Sequence, residues 1–488
     1  MSRNCLIVAA GEGSRHREWI QGECDFDVHL LVYDDSVEKW RDDTEHICKL
    51  TGYKLKMTYA YLTRYPEILE QYDYFLLADD DISMTSADVN AIFDAMHRYR
   101  LQIGQPSLVD SYYSWYHTLH DEFCLLRYTN FVEVMIPCFS REALRKVLFT
   151  FNENDCGWGT ESHWPLLINT NKRDIAIIDE VKVVHTRPVQ SGSPQNFMDL
   201  DAYLKKYNLK AEAYLYDYIE NPQAKRSLFS HKVYFELKWG LVDWMTRRAV
   251  PLAGAPGLDG RFGYVLFAST LWRITEARKY ADLAINYMEY DRHLGNIKDD
   301  LTISHGITGC CYAIEIMTAQ GTIEAEDTDS LLEEADRYIE KRFSEKCDEL
   351  TAEELVSVGL YFMKKYDRTG NDRYMDLGRE AARRVCGCDV VPRLGEDLQT
   401  ACGAAELLER CGFPYTHIAE SIQGVLADGT AGDNIGKLTA LWRLYRITGD
   451  RAIYDRAIEF ADNAMFDVGN VTDAMRLALL MTIRIGEK

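Results

Sequence analysis

The stretch Tyr72-Asp-Tyr-Phe-Leu-Leu-Ala-Asp79-Asp80-Asp81-Ile82 decides the fold class of the first part of this chain. It predicts an apolar β-strand over 72–77 that ends abruptly in three carboxylates. Ligands of α/β sheets bind at the carboxyl ends of the strands. Three neighbouring carboxylates would repel each other unless a cation or hydrogen-bond donors offset them, and a hard divalent cation would do so. A solvated Asp-rich turn is the alternative.

Short apolar runs alternate with helical stretches up to about residue 190, which is typical of an α/β layer fold. The strand candidates are Asn4–Ala10, Asp27–Tyr33, 72–77, Phe131–Phe139 and Ile175–His185, and no strand is expected after about residue 196.

A second polar segment follows in Asn152-Glu-Asn-Asp-Cys-Gly157-Trp158-Gly159-Thr160-Glu161-Ser-His163. Trp158, between two glycines, offers a flat surface on which a sugar face could stack, and Glu161 is a carboxylate that could accept a proton from a hydroxyl group. A packed Trp and a helix-capping Glu are the alternative. The strand candidate Ile175–His185 ends in an imidazole, a common ligand of Mn²⁺-class ions, although a histidine held only by a hydrogen bond fits equally.

The strand-DDD, Gly-Trp-Gly-x-Glu and strand-His order resembles the GT-A class of nucleotide-sugar glycosyltransferases. Residues 4–192 look like an uncharacterised GT-A-like family found in bacteria and plants, and 157–161 are similar to the Gly-Trp-Gly-x-Glu-Asp element of β-1,4-galactosyltransferases. Ser162 replaces the Asp of that element, which puts one acceptor contact in doubt.

The resemblance implies a role for each matching residue. Asp79-Asp80-Asp81 would be the DxD-type motif, with Asp81 the principal ligand of Mn²⁺ or Mg²⁺. Asp79 or Asp80 would contact the ribose or the donor sugar, and Asp79 is also a candidate metal ligand. His185 would be the distal metal ligand, and Glu161 the base of an inverting reaction. The remaining expected contacts are nucleotide or donor binding by Ala9, Ala10, Gly11, Arg15, Asp34, Lys54 and Asp80, and acceptor binding by Trp158, Gly159 and His163.

A rival prediction comes from Ala9-Ala-Gly-Glu-Gly-Ser-Arg15, which is close to the N-terminal signature of sugar nucleotidyltransferases. Those enzymes continue to a Pro-Lys pair, whereas His16-Arg-Glu-Trp-Ile follows here. Nucleotidyl transfer therefore ranks second, and a non-catalytic scaffold with a decayed site is the third alternative.

The last part of the chain repeats an apolar, small-residue helix followed by a charged one, for example from Ser304, Leu355 and Leu398. A period of this kind predicts stacked helical hairpins, either a solenoid or a closed α/α toroid, in which glycines let neighbouring helices approach closely. The pattern resembles the toroid of lanthionine-synthetase cyclases, but it lacks their Cys-His-Gly string, so a module that binds a peptide, protein or glycan acceptor is expected instead.

The predicted domains are therefore a GT-A-like domain over 1–195, a helical connector over 196–256 and an α/α toroid over 257–488. The segment 225–248 has helical spacing and six basic against two acidic residues. It is expected to be a connecting helix, or alternatively a surface helix in which Trp239, Trp244, Arg247 and Arg248 touch an anionic membrane.

Composition sets limits on the partners. With 55 Lys and Arg against 77 Asp and Glu, the net charge of −22 disfavours nucleic acid as a general partner. No apolar run is long enough to span a bilayer. The 13 scattered cysteines, without a secretory signal, predict reduced thiols in the cytoplasm. The function expected from the sequence is thus a metal-dependent glycosyltransferase with a nucleotide-sugar donor, UDP being the expected nucleotide.

Overall fold

The computed structural model describes residues 4–110, 115–168, 171–187, 194–225, 227–247, 256–289, 300–388, 398–427 and 433–483. Its residue contacts divide the chain into two compact units. The first comprises residues 1–224 with 275–278, and the second comprises 225–274 with 279–488. The predicted boundaries at residues 195 and 256 stay predictions.

The first unit is built on a ten-stranded mixed sheet. Its strands are β1 (Asn4–Ala10), β2 (Asp27–Val32), β3 (His46–Lys49), β4 (Tyr74–Asp79), β5 (Ile82–Ser83), β6 (Ile103–Leu108), β7 (Cys124–Thr129), β8 (Cys138–Ser140), β9 (Ile175–His185) and β10 (Leu215–Glu220). The strand order is β10-β7-β9-β6-β8-β4-β1-β2-β3, and β5 pairs with the end of β9. β1 is parallel to both β2 and β4, so the carboxyl ends of these three strands meet at one edge.

Seven helices complete this unit: α1 (His16–Trp19), α2 (Lys54–Arg64), α3 (Ile68–Gln71), α4 (Ser86–Tyr99), α5 (Arg141–Val147), α6 (Trp164–Leu167) and α7 (Pro194–Tyr207). All seven residues of β1 are buried, as expected of a central parallel strand covered on both faces. α4 begins with a capping box formed by Thr85 and Asp88.

The α/β fold is confirmed, but two strand predictions are wrong. Of the predicted strand Phe131–Phe139, only Cys138 and Phe139 belong to a strand, β8. The preceding segment still pairs locally with β4, because Leu77 N–H donates to the Pro137 carbonyl at 2.9 Å. Pro137 has no N–H to continue a ladder. Strands also do not stop at residue 196, since β10 pairs with β7; its half-exposed side chains at this sheet edge give it a weak apolar signal.

The second unit is helical throughout its described residues. It contains α8 (His231–Arg247), α9 (Arg261–Thr275), α10 (Arg278–Glu289), α11 (Ile307–Ala319), α12 (Ala325–Lys346), α13 (Ala352–Thr369), α14 (Asp372–Cys386), α15 (Leu398–Arg410), α16 (Thr416–Ala427), α17 (Asn434–Thr448), α18 (Arg451–Asn463) and α19 (Val471–Met481).

Alternate helices of this unit form an inner ring. α11, α13, α15, α17 and α19 pack against each other in this order. The ring closes through α9, because Ser269 donates to Gln320 after α11 at 2.8 Å and Thr472 of α19 donates to Asp259 before α9 at 2.9 Å. The expected all-helical fold of this region is confirmed, and the glycines allow close packing: a Cβ on Gly359 would lie 2.5 Å from Cδ2 of Leu407 on the next inner helix.

The segment predicted to connect the domains does form a helix, α8. Trp244 packs within the second unit, because its indole N–H donates to the Val468 carbonyl at 3.2 Å and its ring meets Phe267 edge-on. Arg248 lies outside the described residues. Membrane contact by this segment stays a prediction, and every described helix is too short or too polar to cross a bilayer. All 13 cysteines are described, and no disulfide joins any two of them.

Candidate functional site

The residues predicted to bind a metal lie together at the carboxyl end of β4. Asp79 ends β4, and Asp81 immediately precedes β5. Ile82 of β5 pairs with His185, the last residue of β9, which brings the imidazole beside the carboxylates. One ligand atom from each of Asp79, Asp81 and His185 lies within 4.8 Å of the other two.

Cationic neighbours offset the charge of these carboxylates. Nζ of Lys54, on the first turn of α2, is 2.9 Å from Oδ1 of Asp79, and Nε2 of His185 is 3.3 Å from Oδ2 of Asp81. Burial lowers the pKa of His185, but the hydrogen bond to Asp81 and the nearby carboxylates outweigh burial and raise it. Burial lowers the pKa of Lys54 more than its Asp79 partner raises it.

This donor set fits a hard divalent cation. Two carboxylates and an imidazole are ligands that suit Mn²⁺, and the carboxylates also suit Mg²⁺. Oδ1 of Asp81 is buried and has no hydrogen-bond partner among the described residues. A buried carboxylate oxygen without a partner is costly, and a bound cation would satisfy it.

Asp80 lies between these two residues in sequence but has a different environment. It is buried, and its Oδ2 accepts hydrogen bonds from the Gly11 N–H and the Tyr33 hydroxyl, both at 2.9 Å. Its Oδ1 accepts from Nη2 of Arg187 at 3.0 Å. Asp80 therefore fastens the loop after β1 to the end of β2.

The other residues predicted to border the nucleotide surround this loop. Ala9 and Ala10 end β1 and are buried. Asp34 accepts from the Glu12 N–H at 2.7 Å, which fixes the loop from the second strand end. The Arg15 N–H donates to the Asp80 carbonyl at 2.8 Å, whereas its guanidinium pairs with Glu18. The sheet edge thus brings the predicted residues together, but the Arg15 side chain is engaged by Glu18.

The Gly157–Glu161 loop depends on its glycines. Gly157 and Gly159 have φ values of +78° and +91°, which L side chains rarely adopt. A Cβ on Gly157 would lie 2.7 Å from Cδ1 of Leu55, and one on Gly159 would lie 3.2 Å from atoms of Leu200 and Tyr203. Since Leu55 follows Lys54 on α2, this turn of helix touches both the loop and the carboxylate cluster.

Glu161 is a buried acid with a raised pKa. Its side chain lies in a short 3₁₀ turn, Thr160–Ser162, and the residue is 9% exposed. Oε1 accepts from the Gly159 N–H at 3.0 Å, whereas Oε2 is buried and has no partner among the described residues. Burial raises its pKa to about 7, and the negative charge of Glu133 contributes.

The predicted acceptor residues differ in their availability. Trp158 is half-buried and meets Phe197 of α7 edge-on, with ring centroids 5.6 Å apart. His163 is buried, and its Nδ1 is 3.0 Å from the Tyr203 hydroxyl. Its ring also packs against Tyr207, so His163 links the loop to α7.

Sequence reasoning missed two charged residues of the site. Arg187 lies two residues after His185 and contacts Asp80, and its place directly after the strand-His motif was a signal that could have found it. Glu133 is buried, accepts from the Trp115 N–H at 2.8 Å, and acts electrostatically on both Glu161 and His185. It comes from the segment mistaken for a strand, and no motif marks it.

Comparison with known proteins gives limited similarity. Residues 19–123 match a family described as a protein of unknown function, DUF707. No curated protein is similar enough in sequence to match the chain.

Solved structures show weak likeness. A D-mannose isomerase is 14% identical, with a TM-score of 0.34, over 51% of this chain and 90% of that one. A sugar epimerase from a ruminal bacterium is 10% identical, with a TM-score of 0.35, over 52% and 100% of the two chains. A fragment of S. aureus TarS in complex with UDP-GlcNAc is 10% identical, with a TM-score of 0.29, over 78% and 92%. At these scores none of the three decides the activity of this chain.

Proposed function

We propose that this protein is a metal-dependent glycosyltransferase that moves a sugar from a nucleotide-sugar donor, with UDP as the expected nucleotide, to an acceptor hydroxyl. The observation that carries the proposal is the convergence of Asp79, Asp81 and His185 in one unit with Glu161. Glu161 is a buried carboxyl with an unpartnered oxygen and a pKa raised to about 7 by burial.

The donor end of the site consists of the carboxylate cluster and the loop after β1. Asp79, Asp81 and His185 would hold Mn²⁺ or Mg²⁺, which when bound supplies positive charge to a leaving diphosphate. Gly11 and Asp34 shape the loop that borders the nucleoside, and Asp80 keeps this loop attached to the cluster. These residues orient the donor and place its diphosphate at the sheet edge.

The acceptor end centres on Glu161. A carboxylate is an efficient base when its pKa is near the working pH, and a value of about 7 meets this condition. Oε2 of Glu161 would take the proton of the acceptor hydroxyl. The hydroxyl oxygen would at the same time attack the anomeric carbon from the side opposite the diphosphate, which leaves. Direct displacement of this kind inverts the anomeric configuration. Trp158 would provide the stacking surface for the acceptor sugar.

The helical unit has a separate role in this proposal. Its closed ring of helix pairs would bind a peptide, protein or glycan that carries the acceptor hydroxyl. If the site proves inactive, the alternative is that the whole chain binds ligands without catalysis.

A panel of nucleotide sugars tests the proposal. The full chain is incubated with UDP-, GDP-, CDP- and ADP-sugars in MnCl₂, in MgCl₂ and in EDTA, and released nucleoside diphosphate is measured. We expect slow donor hydrolysis with at least one donor that stops in EDTA. Release of pyrophosphate from sugar phosphate and nucleoside triphosphate would instead establish nucleotidyl transfer, and no turnover of any donor would contradict the proposal.

A further inference from the structure

Arg187 has a position that none of the predicted roles uses. It lies two residues after His185, and its Nη2 is 3.0 Å from Oδ1 of Asp80 and 3.2 Å from the Gly13 carbonyl. Its Nε is 3.9 Å from Oδ2 of Asp81. The guanidinium therefore spans the space between the candidate metal ligands and the loop after β1.

Arg187 is also more accessible than Lys54 and Arg15, two other cations at this edge. Its side chain is 45% exposed, whereas that of Lys54 is 7% exposed and is held by Asp79 and the Met135 carbonyl. The guanidinium of Arg15 pairs with Glu18. Of these three cations, only Arg187 combines solvent access with direct contact to the Asp80–Asp81 pair.

The chemistry of the group suits a diphosphate. A guanidinium is always protonated, and its planar fork of N–H donors matches the oxygens of phosphate groups in pairs. Its present partners are a carboxylate oxygen of Asp80, the Gly13 carbonyl, the Tyr33 hydroxyl and, at longer range, a carboxylate oxygen of Asp81. Phosphate oxygens that arrive at the same edge can replace the carbonyl contact, while Asp80 keeps the hydrogen bonds that it accepts from the Gly11 N–H and the Tyr33 hydroxyl.

We propose that Arg187 binds the diphosphate group of the donor and makes the site selective for nucleoside diphosphates over monophosphates. This inference rests on the proposed function, because it assumes a nucleotide donor at the β1–β4 edge. Asp80 acts as a positioning residue in this arrangement, since it holds Arg187 between the metal ligands and the nucleotide loop.

The test uses calorimetric titration of the full chain in MnCl₂ with UDP and UMP, and with the matching pairs of GDP, CDP and ADP so that the preferred base is included. Arg187→Met removes the charge, and Arg187→Lys keeps the charge but not the fork. The control is Arg145→Met, because Arg145 is 46% exposed, lies on α5 and pairs with Glu70. Thermal unfolding of each variant checks that it is folded.

We expect Arg187→Met to weaken diphosphate binding by roughly 10- to 100-fold, as for loss of hydrogen bonds to a charged group, and to change monophosphate binding by much less. Arg187→Lys should lie between, and Arg145→Met should match the wild type. If Arg187→Met binds the diphosphate within twofold of the wild-type affinity, the inference fails while the proposed function stands. The same holds if this variant loses equal affinity for the diphosphate and the monophosphate. If the wild type binds no nucleoside diphosphate, both the inference and the proposed function fail.

Discussion

The strand end at Asp79–Asp81 and the loop at Gly157–Glu161 both present buried carboxyl groups, but they treat the charge in opposite ways. At the strand end each carboxylate meets a cation: Lys54 for Asp79, Arg187 for Asp80 and His185 for Asp81. In the loop, Oε1 of Glu161 accepts a hydrogen bond from the Gly159 N–H, and Oε2 has no partner among the described residues.

This difference matches the two tasks that the proposed function assigns to the site. A carboxylate that pairs with a cation can exchange that partner for a metal ion. A carboxyl group that burial holds near a pKa of about 7 can instead gain and lose a proton near neutral pH. In the proposed function, the same residue type therefore binds a cation in one place and accepts a proton in the other.

The largest effect is expected from Glu161→Gln. The amide keeps the shape of the side chain but cannot take a proton, so donor turnover should fall by roughly 100- to 10,000-fold, while nucleotide-sugar affinity stays near wild type. Nucleoside diphosphate release and calorimetry measure the two quantities.

Glu153→Gln is the matched control, because Glu153 is in the same polar segment and pairs with Lys206 outside the proposed chemistry. It should retain wild-type turnover. If Glu161→Gln keeps near-normal turnover, Glu161 is not the base. The two regions would then not divide metal binding and proton transfer between them.

Asp81→Asn tests the other side of the comparison. Removing a proposed direct ligand should weaken Mn²⁺-dependent nucleotide binding by roughly 100-fold or more, since loss of a supporting residue around a metal already costs 10- to 100-fold. Titration of the variant with Mn²⁺ and UDP measures this loss. Asp217→Asn is the control, because Asp217 lies on β10, at one end of the sheet's strand order, and pairs with Arg173. Binding that is unchanged in Asp81→Asn and insensitive to chelator would rule out the metal site.

The raised pKa of Glu161 also predicts how stability varies with pH. The folded state favours the protonated carboxyl, so this contribution to the free energy of unfolding is complete below the ordinary pKa of 4.5 and is lost as pH rises through about 7. Glu161→Gln should therefore gain stability relative to wild type by about 3 kcal/mol between pH 4.5 and 8. Denaturant unfolding of both proteins across this range measures the gain, and a difference independent of pH would show that Glu161 is not held in an unfavourable charged state.

The smallest effect concerns the geometry of the loop. Gly159→Ala places a Cβ at φ +91°, in contact with Leu200 and Tyr203, and should lower the free energy of unfolding by about 1 to 3 kcal/mol. Gly321→Ala is the comparison, because Gly321 has φ +78° with no atom near the added Cβ, and only the backbone strain of about 1 kcal/mol remains. Equal losses in the two variants would mean that packing against α7 does not hold the loop.

The sequence predicts the site better where local pattern determines position. Asp79 and His185 end apolar strands, and Asp81 lies directly before β5, so the sequence places all three at strand ends. The pairing of β5 with β9 then brings them together. The two glycines around Trp158 likewise mark a turn from their residue type alone.

The residues that the sequence does not reveal depend on tertiary contacts. Glu133 lies in a segment without strand geometry, and its place in the site comes from pairing beside β4 and contacts near Trp115. The edge strand β10 is half-exposed, so its apolar signal is weak. The buried bonds of Asp80 with Tyr33 and Gly11 span up to 69 residues along the chain, a separation that no local motif encodes.

The most direct test of the central claim is a titration of the wild-type chain with nucleotide sugars, first in MnCl₂ and then after chelation. The account predicts saturable binding of one nucleotide-sugar class in Mn²⁺ that is lost in EDTA and recovered when the metal is restored. Absence of binding to every nucleotide sugar, or binding of equal strength with and without the metal, would contradict it.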